Sequence, residues 1–351
     1  MRQNLQRLSL HQRRLIFILI FVGVLLALAS ITLLLVGQAL TSAARVQAVA
    51  LIPSVTVTEF AILPDDDAFP AAVAVAPGGM VYTGSFATGA VWAIDARGEV
   101  TEIPGTRDAI GAVIGLAVAP DGALLVVDQL DTDPRTAGGE IIRIGRDGTV
   151  RPYVELPDGE RFVAPTDIAF DPTGAFYVSD AGPNQVWRFT LDQFGVPRGE
   201  VWWTAPPQNG GARQAISGLA YDPVHDALIV AEPETNVIYR VRLEDRATEI
   251  LYRHGSRPNP PGFNGVAVTE EGRVFVAALG QNGVALVEEG NLNYIAGLFR
   301  GASDVAVAGP DRLVVTNFDQ SSLVLPLVLP QLPFALDMLV FDPAVLELSA
   351  P

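Results

Sequence analysis

The stretch Thr166–Asp180, TDIAFDPTGAFYVSD, decides the fold. It reads as a short apolar strand, a turn made by Asp171, Pro172 and Gly174, and a second strand of aromatic and β-branched residues that ends on a polar side chain. The pattern recurs at Ala71–Ser85 (AAVAVAPGGMVYTGS), Ile114–Asp128 (IGLAVAPDGALLVVD) and Ser217–Glu232 (SGLAYDPVHDALIVAE). It appears again at Asn264–Ala278 (NGVAVTEEGRVFVAA) and Ser303–Asn317 (SDVAVAGPDRLVVTN). The first five copies are each followed by a third strand: VWAIDA from Val91, IIRIG from Ile141, VWRFTL from Val186, VIYRVRL from Val237 and VALVEE from Val284. Fourth strands VTEIP, VRPYVEL, EVWWTA, TEILY and LNYIAGL then lead to the next copy.

Equivalent residues recur about every 40–50 positions, the period of four-stranded propeller blades. The expected fold is therefore all-β, a six-bladed β-propeller. Val55–Leu63 resembles a fourth strand with no blade before it, while the last copy lacks a fourth strand of its own. The expectation is that Val55–Leu63 completes that last blade, because closing the ring leaves no unpaired edge. The propeller is expected over 55–328, with 329–351 a proline-interrupted apolar tail outside the repeat that packs against the propeller.

Leu15–Gly37 is a continuous apolar run in which Ser30 and Thr32 are the polar side chains. As a helix it spans roughly 34 Å, enough for a bilayer core. It exceeds the usual apolar length of a cleaved signal, although Val46–Ala48 offers a small-x-small cleavage site. Arg2, Arg7, Arg13 and Arg14 precede the run and Arg45 alone follows it closely. The positive-inside rule then places 1–14 in the cytoplasm as a stub, 15–37 across the membrane and 38–54 as a linker to an extracytoplasmic propeller.

The chain has no cysteine, which excludes disulfides and thiolate chemistry. All of its cationic residues are arginine, so lysine Schiff-base chemistry is excluded too. Net charge is −16; the four N-terminal arginines contribute +4, which leaves −20 on the rest. Such a surface repels nucleic acid and concentrates cations.

In a propeller the innermost strands converge on a central channel, so the first residues of those strands face its mouth. The leading positions hold Ala71, Ile114, Thr166, Ser217, Asn264 and Ser303; the following positions hold Ala72, Gly115, Asp167, Gly218, Gly265 and Asp304. Small residues suit a crowded axis, and Asn264, Asp167 and Asp304 stand out. Residues 165–189 resemble an NHL-type repeat, and FNGVAVTEEGRVFVA (residues 263–277) is similar to an innermost strand of the gluconolactonase and senescence-marker family of calcium-dependent lactonases.

That resemblance implies a divalent ion held at the mouth by Glu, Asn and Asp side chains. Asn264 matches the Asn, whereas no leading position supplies an acid. A resemblance to paraoxonase-like propellers implies calcium held through both positions, and Thr166-Asp167 and Ser303-Asp304 occupy those places. The expected metal ligands are thus Asn264, Asp167 and Asp304, with Thr166, Ser217 and Ser303 around them and Ca2+ or another divalent cation between. The competing reading is that both carboxylates bond backbone N–H groups at strand starts.

Acids or amides that end the second strands (Asp128, Asp180, Glu232, Asn317, with Ser85 equivalent) recur too regularly for a unique site and are expected to fix hairpins. His254, close before Asn264, is expected to be a solvated loop residue, and His225 sits in a turn. The loops Asp131–Gly139, Pro206–Gln214 and Arg253–Gly262 are natural walls for a binding face, with one of Trp202 and Trp203 packed between blades and the other toward a ligand. Two functions follow. One is a non-catalytic module that binds a small molecule, glycan or protein at the loop face. The other is a metal-dependent lactone or ester hydrolase in which the ion polarises the carbonyl and activates water.

Overall fold

The computed structural model describes residues 9–40, 46–133, 136–207, 214–288, 290–325 and 328–342. Most of the N-terminal stub 1–14, parts of the loops at 131–139 and 206–214, and the end of the tail beyond Asp342 lie outside these residues. The chain forms two compact units, Met1–Arg45 with Ser321–Gln331, and Val46–Gln320 with Leu332–Pro351.

The first unit contains a helix at Leu10–Leu40. Ser9 and Gln12 start it reciprocally: the Ser9 N–H donates to Gln12 Oε1 (2.9 Å) and the Gln12 N–H to Ser9 Oγ (3.4 Å), a capping box. Within it, Arg14–Leu34 is long and apolar enough to cross a membrane, and none of it is buried against protein. The Thr32 hydroxyl returns its hydrogen to Leu28 O at 2.9 Å, which hides its polarity inside the helix.

The second unit is a six-bladed β-propeller. Blade 1 is built from Pro70–Val75, Val81–Ser85, Val91–Ile94 and Val100–Glu102. Blade 2 uses Val113–Val118, Leu124–Asp128, Glu140–Ile144 and Val150–Pro152, and blade 3 Pro165–Phe170, Phe176–Asp180, Gln185–Leu191 and Pro197–Thr204. Blade 4 uses Leu219–Asp222, Ala227–Glu232, Val237–Arg242 and Thr248–Arg253. Blade 5 uses Phe263–Val268, Val274–Ala278, Gly283–Glu288 and Asn291–Gly297. In each, the strands run antiparallel from the channel outward in chain order.

Blade 6 closes the ring. Val305–Gly309 and Arg312–Thr316 come from the last repeat, and Val55–Ile62 is the outermost strand, as expected. The strand between them is Ala335–Phe341, which pairs with both neighbours: Thr316 opposes Leu336, and Val55 opposes Phe341. This corrects the boundary at 328, because part of the segment read as an outside tail is the third strand of the blade. The connection from Asn317 to Phe334 is an insertion between two paired strands, and its length hid the strand that follows. The 38–54 linker is corrected likewise: Val49–Ala50 adds a fifth strand to blade 5, with Val49 opposite Gly297.

The core lies between blades rather than in one centre. Tyr177, Trp202, Trp203, Ile216, Val230 and Tyr239 fill the space between blades 3 and 4. Phe275, Ile295, Phe299, Leu313 and Leu339 do the same between blades 5 and 6. At the closure of the ring, Phe69 meets Phe334 at 4.6 Å and Phe86 meets Phe318 edge-on at 5.4 Å between ring centres. Both tryptophans of the 202–203 pair are buried, against the expectation that one faces a ligand. The reason is a register shift: Val186 opposes Trp203 but Trp187 opposes Val201. This bulge turns two consecutive residues to the same face, and Trp203 Nε1 donates to Thr248 Oγ1 at 2.9 Å.

Candidate functional site

The channel mouth is the end at which the innermost strands begin, and there each strand meets its neighbour at close range. A Cβ on Gly218 would lie 2.1 Å from the backbone oxygen of Asn264, and one on Gly265 would lie 1.9 Å from Asp304 Oδ1. Glycine at these following positions is therefore required by the next blade's approach.

Blades 3 and 6 solve the same contact differently, with an acid that reaches across. Asp167 Oδ2 accepts the Leu219 N–H of blade 4 at 2.7 Å, and its Oδ1 accepts the Ile168 N–H at 2.8 Å. Asp304 Oδ2 accepts the Val73 N–H of blade 1 at 2.7 Å, and its Oδ1 accepts the Val305 N–H at 2.8 Å. Each carboxyl thus joins its own strand to the next, and the Asp304 link lies across the ring closure.

The neighbouring hydroxyls extend these links. In blade 3, Thr166 Oγ1 and Ser179 Oγ are 2.7 Å apart, and Ser179 Oγ also reaches Ser217 O of blade 4 at 2.6 Å. In blade 6, Ser303 Oγ donates to Ala71 O of blade 1 at 2.8 Å and lies 2.7 Å from Thr316 Oγ1. The Asp167 N–H donates to Ser179 Oγ and the Asp304 N–H to Thr316 Oγ1, both at 2.9 Å. Blades 3 and 6 therefore carry the same latch on opposite sides of the ring.

Ser179 and Thr316 escaped sequence reasoning. Their signal is in the repeat: the residue before the polar strand end is Gly84, Val127, Ser179, Ala231, Ala277 or Thr316. A hydroxyl stands there only in the two blades with Asp at the following position of the innermost strand, Asp167 and Asp304.

Asn264 has a separate partner, since its Oδ1 accepts the Ser217 hydroxyl at 2.5 Å and joins blades 5 and 4. The expected ligands and surrounding hydroxyls therefore all lie at the mouth, but they bond to adjacent blades. Calcium takes six to eight oxygens. Both oxygens of each carboxylate here already hold backbone N–H groups, and among the described residues no group of three or more His, Asp and Glu side chains could hold a metal ion. The donor set does not fit the calcium site that the family resemblance implies.

Burial pushes the Asp167 carboxyl up to about 7, against the downward pull of the Leu219 and Ile168 N–H groups. Burial also raises Asp304 well above the usual carboxylate range, and the charge of Asp167 raises it further.

The other polar candidates are structural. Asp128 Oδ1 accepts N–H groups of Ala112 (2.9 Å) and Leu130 (2.8 Å), and Asp180 accepts those of Val163 (3.0 Å) and Ala164 (2.7 Å). Glu232 accepts those of Ala215 (3.0 Å) and Thr235 (2.7 Å), and Asn317 Oδ1 accepts that of Arg300 (2.9 Å). Each clamps an inter-blade loop to a hairpin turn. His254 is buried rather than solvated, with Nδ1 3.2 Å from the Tyr252 hydroxyl and Nε2 3.1 Å from Arg257 O. His225 lies 2.9 Å from the fully buried Asp222, which also binds Arg240 at 3.1 Å; this group sits in the strand turn at the far end of the channel.

No protein-family model and no curated protein matches the sequence. Solved structures do match in fold. A gluconolactonase from Xanthomonas campestris is 17% identical with TM-score 0.60, covering 85% of this chain and 94% of its own. Virginiamycin B lyase from Staphylococcus aureus is 14% identical with TM-score 0.57, covering 82% and 99%. The PQQ-bound aldose sugar dehydrogenase from Streptomyces coelicolor is 16% identical with TM-score 0.57, covering 86% and 99%. Three different chemistries on one scaffold carry no activity to a fourth chain; what this chain shares with them is the propeller fold.

Proposed function

We propose that this protein is a single-pass, membrane-anchored propeller, held outside the cytoplasm, that binds a ligand without turning it over. The observation that carries the reading is the use of the mouth's polar groups. Asp167, Asp304, Asn264 and their hydroxyl neighbours are hydrogen-bonded to an adjacent blade, and the two histidines of the propeller are tied into turns and loops. No nucleophile–base pair stands at the mouth among the described residues. The loops above blades 2, 3 and 4 supply the binding surface, and a protein or glycan is the ligand class suited to an irregular, polar loop face. The arginines before the apolar helix support a cytoplasmic N-terminus.

The purified full-length chain, assayed against a panel of lactones and aryl esters with calcium, zinc or manganese, should show no turnover above buffer. Turnover that disappears with a chelator and with Asp167→Ala would replace this reading with the metal-dependent hydrolase. The raised carboxyls on opposite channel walls are the feature that favours that second reading, since a cation between them would relieve their repulsion.

A further inference from the structure

We infer that this protein pairs with a second copy of itself through blade 3, with Phe194 of each copy filling a cleft between blades 2 and 3 of the other. The face lies at the end of the channel opposite the mouth, so the inference goes beyond the ligand-binding reading above and stands independently of it.

The knob is a hairpin tip. Gln185–Leu191 and Pro197–Thr204 are joined by a turn at the end of the channel away from the mouth. Phe194 in that turn is 80% exposed, more than any other large apolar side chain among the described residues, those of the apolar helix included. Asp192 orders the turn. Its Oδ1 accepts the N–H groups of Phe194 (2.9 Å) and Val196 (3.0 Å), and the Gly195 N–H donates to Asp192 O at 2.9 Å. The backbone therefore presents the ring from a fixed place, which lowers the cost of ordering it against a partner.

The hole lies beside it. A cleft of about 340 Å³ is lined by the buried Leu125 and Phe176 and by Pro120, Tyr153, Phe170 and Leu191. A cavity of about 150 Å³ is enough for a benzene ring, so this cleft admits a phenyl side chain against three aromatic neighbours. Arg143 also lines it, but its guanidinium already pairs with Asp121 and lies over the Tyr153 ring at 5.2 Å. What the cleft offers an occupant is mainly apolar and aromatic surface.

Two observations select a second copy as the occupant. Leu191 lines the cleft and stands three residues before Phe194, so knob and hole belong to one surface. A two-fold axis through that surface fills both clefts at once, the self-complementary arrangement of an isologous dimer. Exposed Leu191 (52%), Val196 (45%) and Val201 (39%) continue the apolar surface around the hairpin. The second observation is charge. A domain of net −20 repels its own copies, yet acid–arginine pairs frame this surface: Asp121 with Arg143, Asp192 with Arg198 at 2.9 Å, and Glu200 with Arg188 at 3.9 Å. Two copies meeting here bring matched charges together.

The test uses the full-length chain in mild detergent. Sedimentation should show a dimer, and Phe194→Asp should raise its Kd about thirtyfold or more, as loss of a central aromatic anchor does. Thr190 is exposed and lines the cleft, so Thr190→Trp, which fills the hole and leaves the knob, should weaken the dimer likewise. Far-UV circular dichroism melts of both variants should match the wild type. The absence of native cysteine allows the contact to be located. Two differently tagged chains, one Gln193→Cys beside the knob and one Thr173→Cys at the cleft, are mixed and treated with a short bismaleimide. A product carrying both tags is expected, and Gln193→Cys mixed with Arg97→Cys in the exposed turn of blade 1 should give none. A monomeric wild type overturns the inference, as does a dimer indifferent to Phe194→Asp, which would be held by another surface or by the helix. Loss of the dimer in Phe194→Asp without the 193–173 product would mean that the ring docks elsewhere, which overturns the cleft assignment. None of these readouts depends on ligand binding or turnover, so failure here leaves the proposed function standing.

Discussion

Asp304→Ala is the sharpest perturbation of the ring. The carboxyl accepts the Val73 N–H at 2.7 Å and the Val305 N–H at 2.8 Å, and the first of these bonds crosses from blade 6 to blade 1. Alanine leaves two buried donors without a partner, at about 1–3 kcal/mol each. Around neutral pH part of this is offset, because burial and Asp167 already make ionised Asp304 unfavourable. A net loss of roughly 2–4 kcal/mol follows, and for a domain of this size about 2 °C of Tm per kcal/mol gives a fall of about 4–8 °C. The assay is thermal unfolding of the full-length chain in detergent, followed by far-UV circular dichroism, once with calcium and once with EDTA. The fall should be the same in both, because the latch is made of N–H groups rather than an ion. A Tm unchanged to within a degree refutes the latch, and a fall seen only with calcium refutes it in favour of a metal site.

Four further outcomes follow from the same geometry. Asp167 is protonated up to about 7 in the folded chain and near 3.8 when unfolded, so the folded state binds more protons between those values and stability falls as pH rises through that window. A dry site would make this roughly 4 kcal/mol; partial exposure to the channel reduces it, and Tm should drop about 2–4 °C from pH 5 to 7.5 relative to Asp167→Asn/Asp304→Asn, with a parallel profile for both proteins counting against the shift. Gly265→Ala, whose Cβ would meet Asp304 Oδ1 at 1.9 Å, should abolish folding or cost more than 3 kcal/mol, while Gly78→Ala, with nothing within 4 Å, should be neutral in the same melt. Trp203→Phe loses the bond to Thr248 and should cost about 1–2 kcal/mol by urea titration, with a wild-type midpoint arguing against a buried indole. A chain stopped at Val328 lacks the third strand of blade 6 and should not give a cooperative unfolding transition; a sharp melt from that truncation would mean Ala335–Phe341 is dispensable.

The blades were legible because each repeats one local grammar, an apolar strand, a Gly/Asp/Pro turn and a strand ending on a polar residue. The closing role of Val55–Ile62 was legible from its excess over that count. The third strand of blade 6 was hidden because the prolines and leucines of the insertion separate it from Thr316, and periodicity along the chain does not report a pairing across such a gap. At the mouth, alignment of the repeats identified Asp167, Asp304 and Asn264 as the unusual residues and placed the acids on opposite walls. It could not show what each oxygen bonds, because Leu219 and Val73 belong to neighbouring blades and their N–H groups reach the carboxylates only when the ring is assembled. The burial of Trp202 together with Trp203 depends on a bulge, which strict strand alternation does not anticipate.

Calorimetric titration of calcium into the full-length protein at pH 7.5 tests the central claim most directly, because it asks whether the mouth carboxylates are latches or ligands. The account predicts no saturable heat and no difference between wild type and Asp167→Asn/Asp304→Asn. A stoichiometric binding isotherm in the wild type that vanishes in the double variant would contradict it.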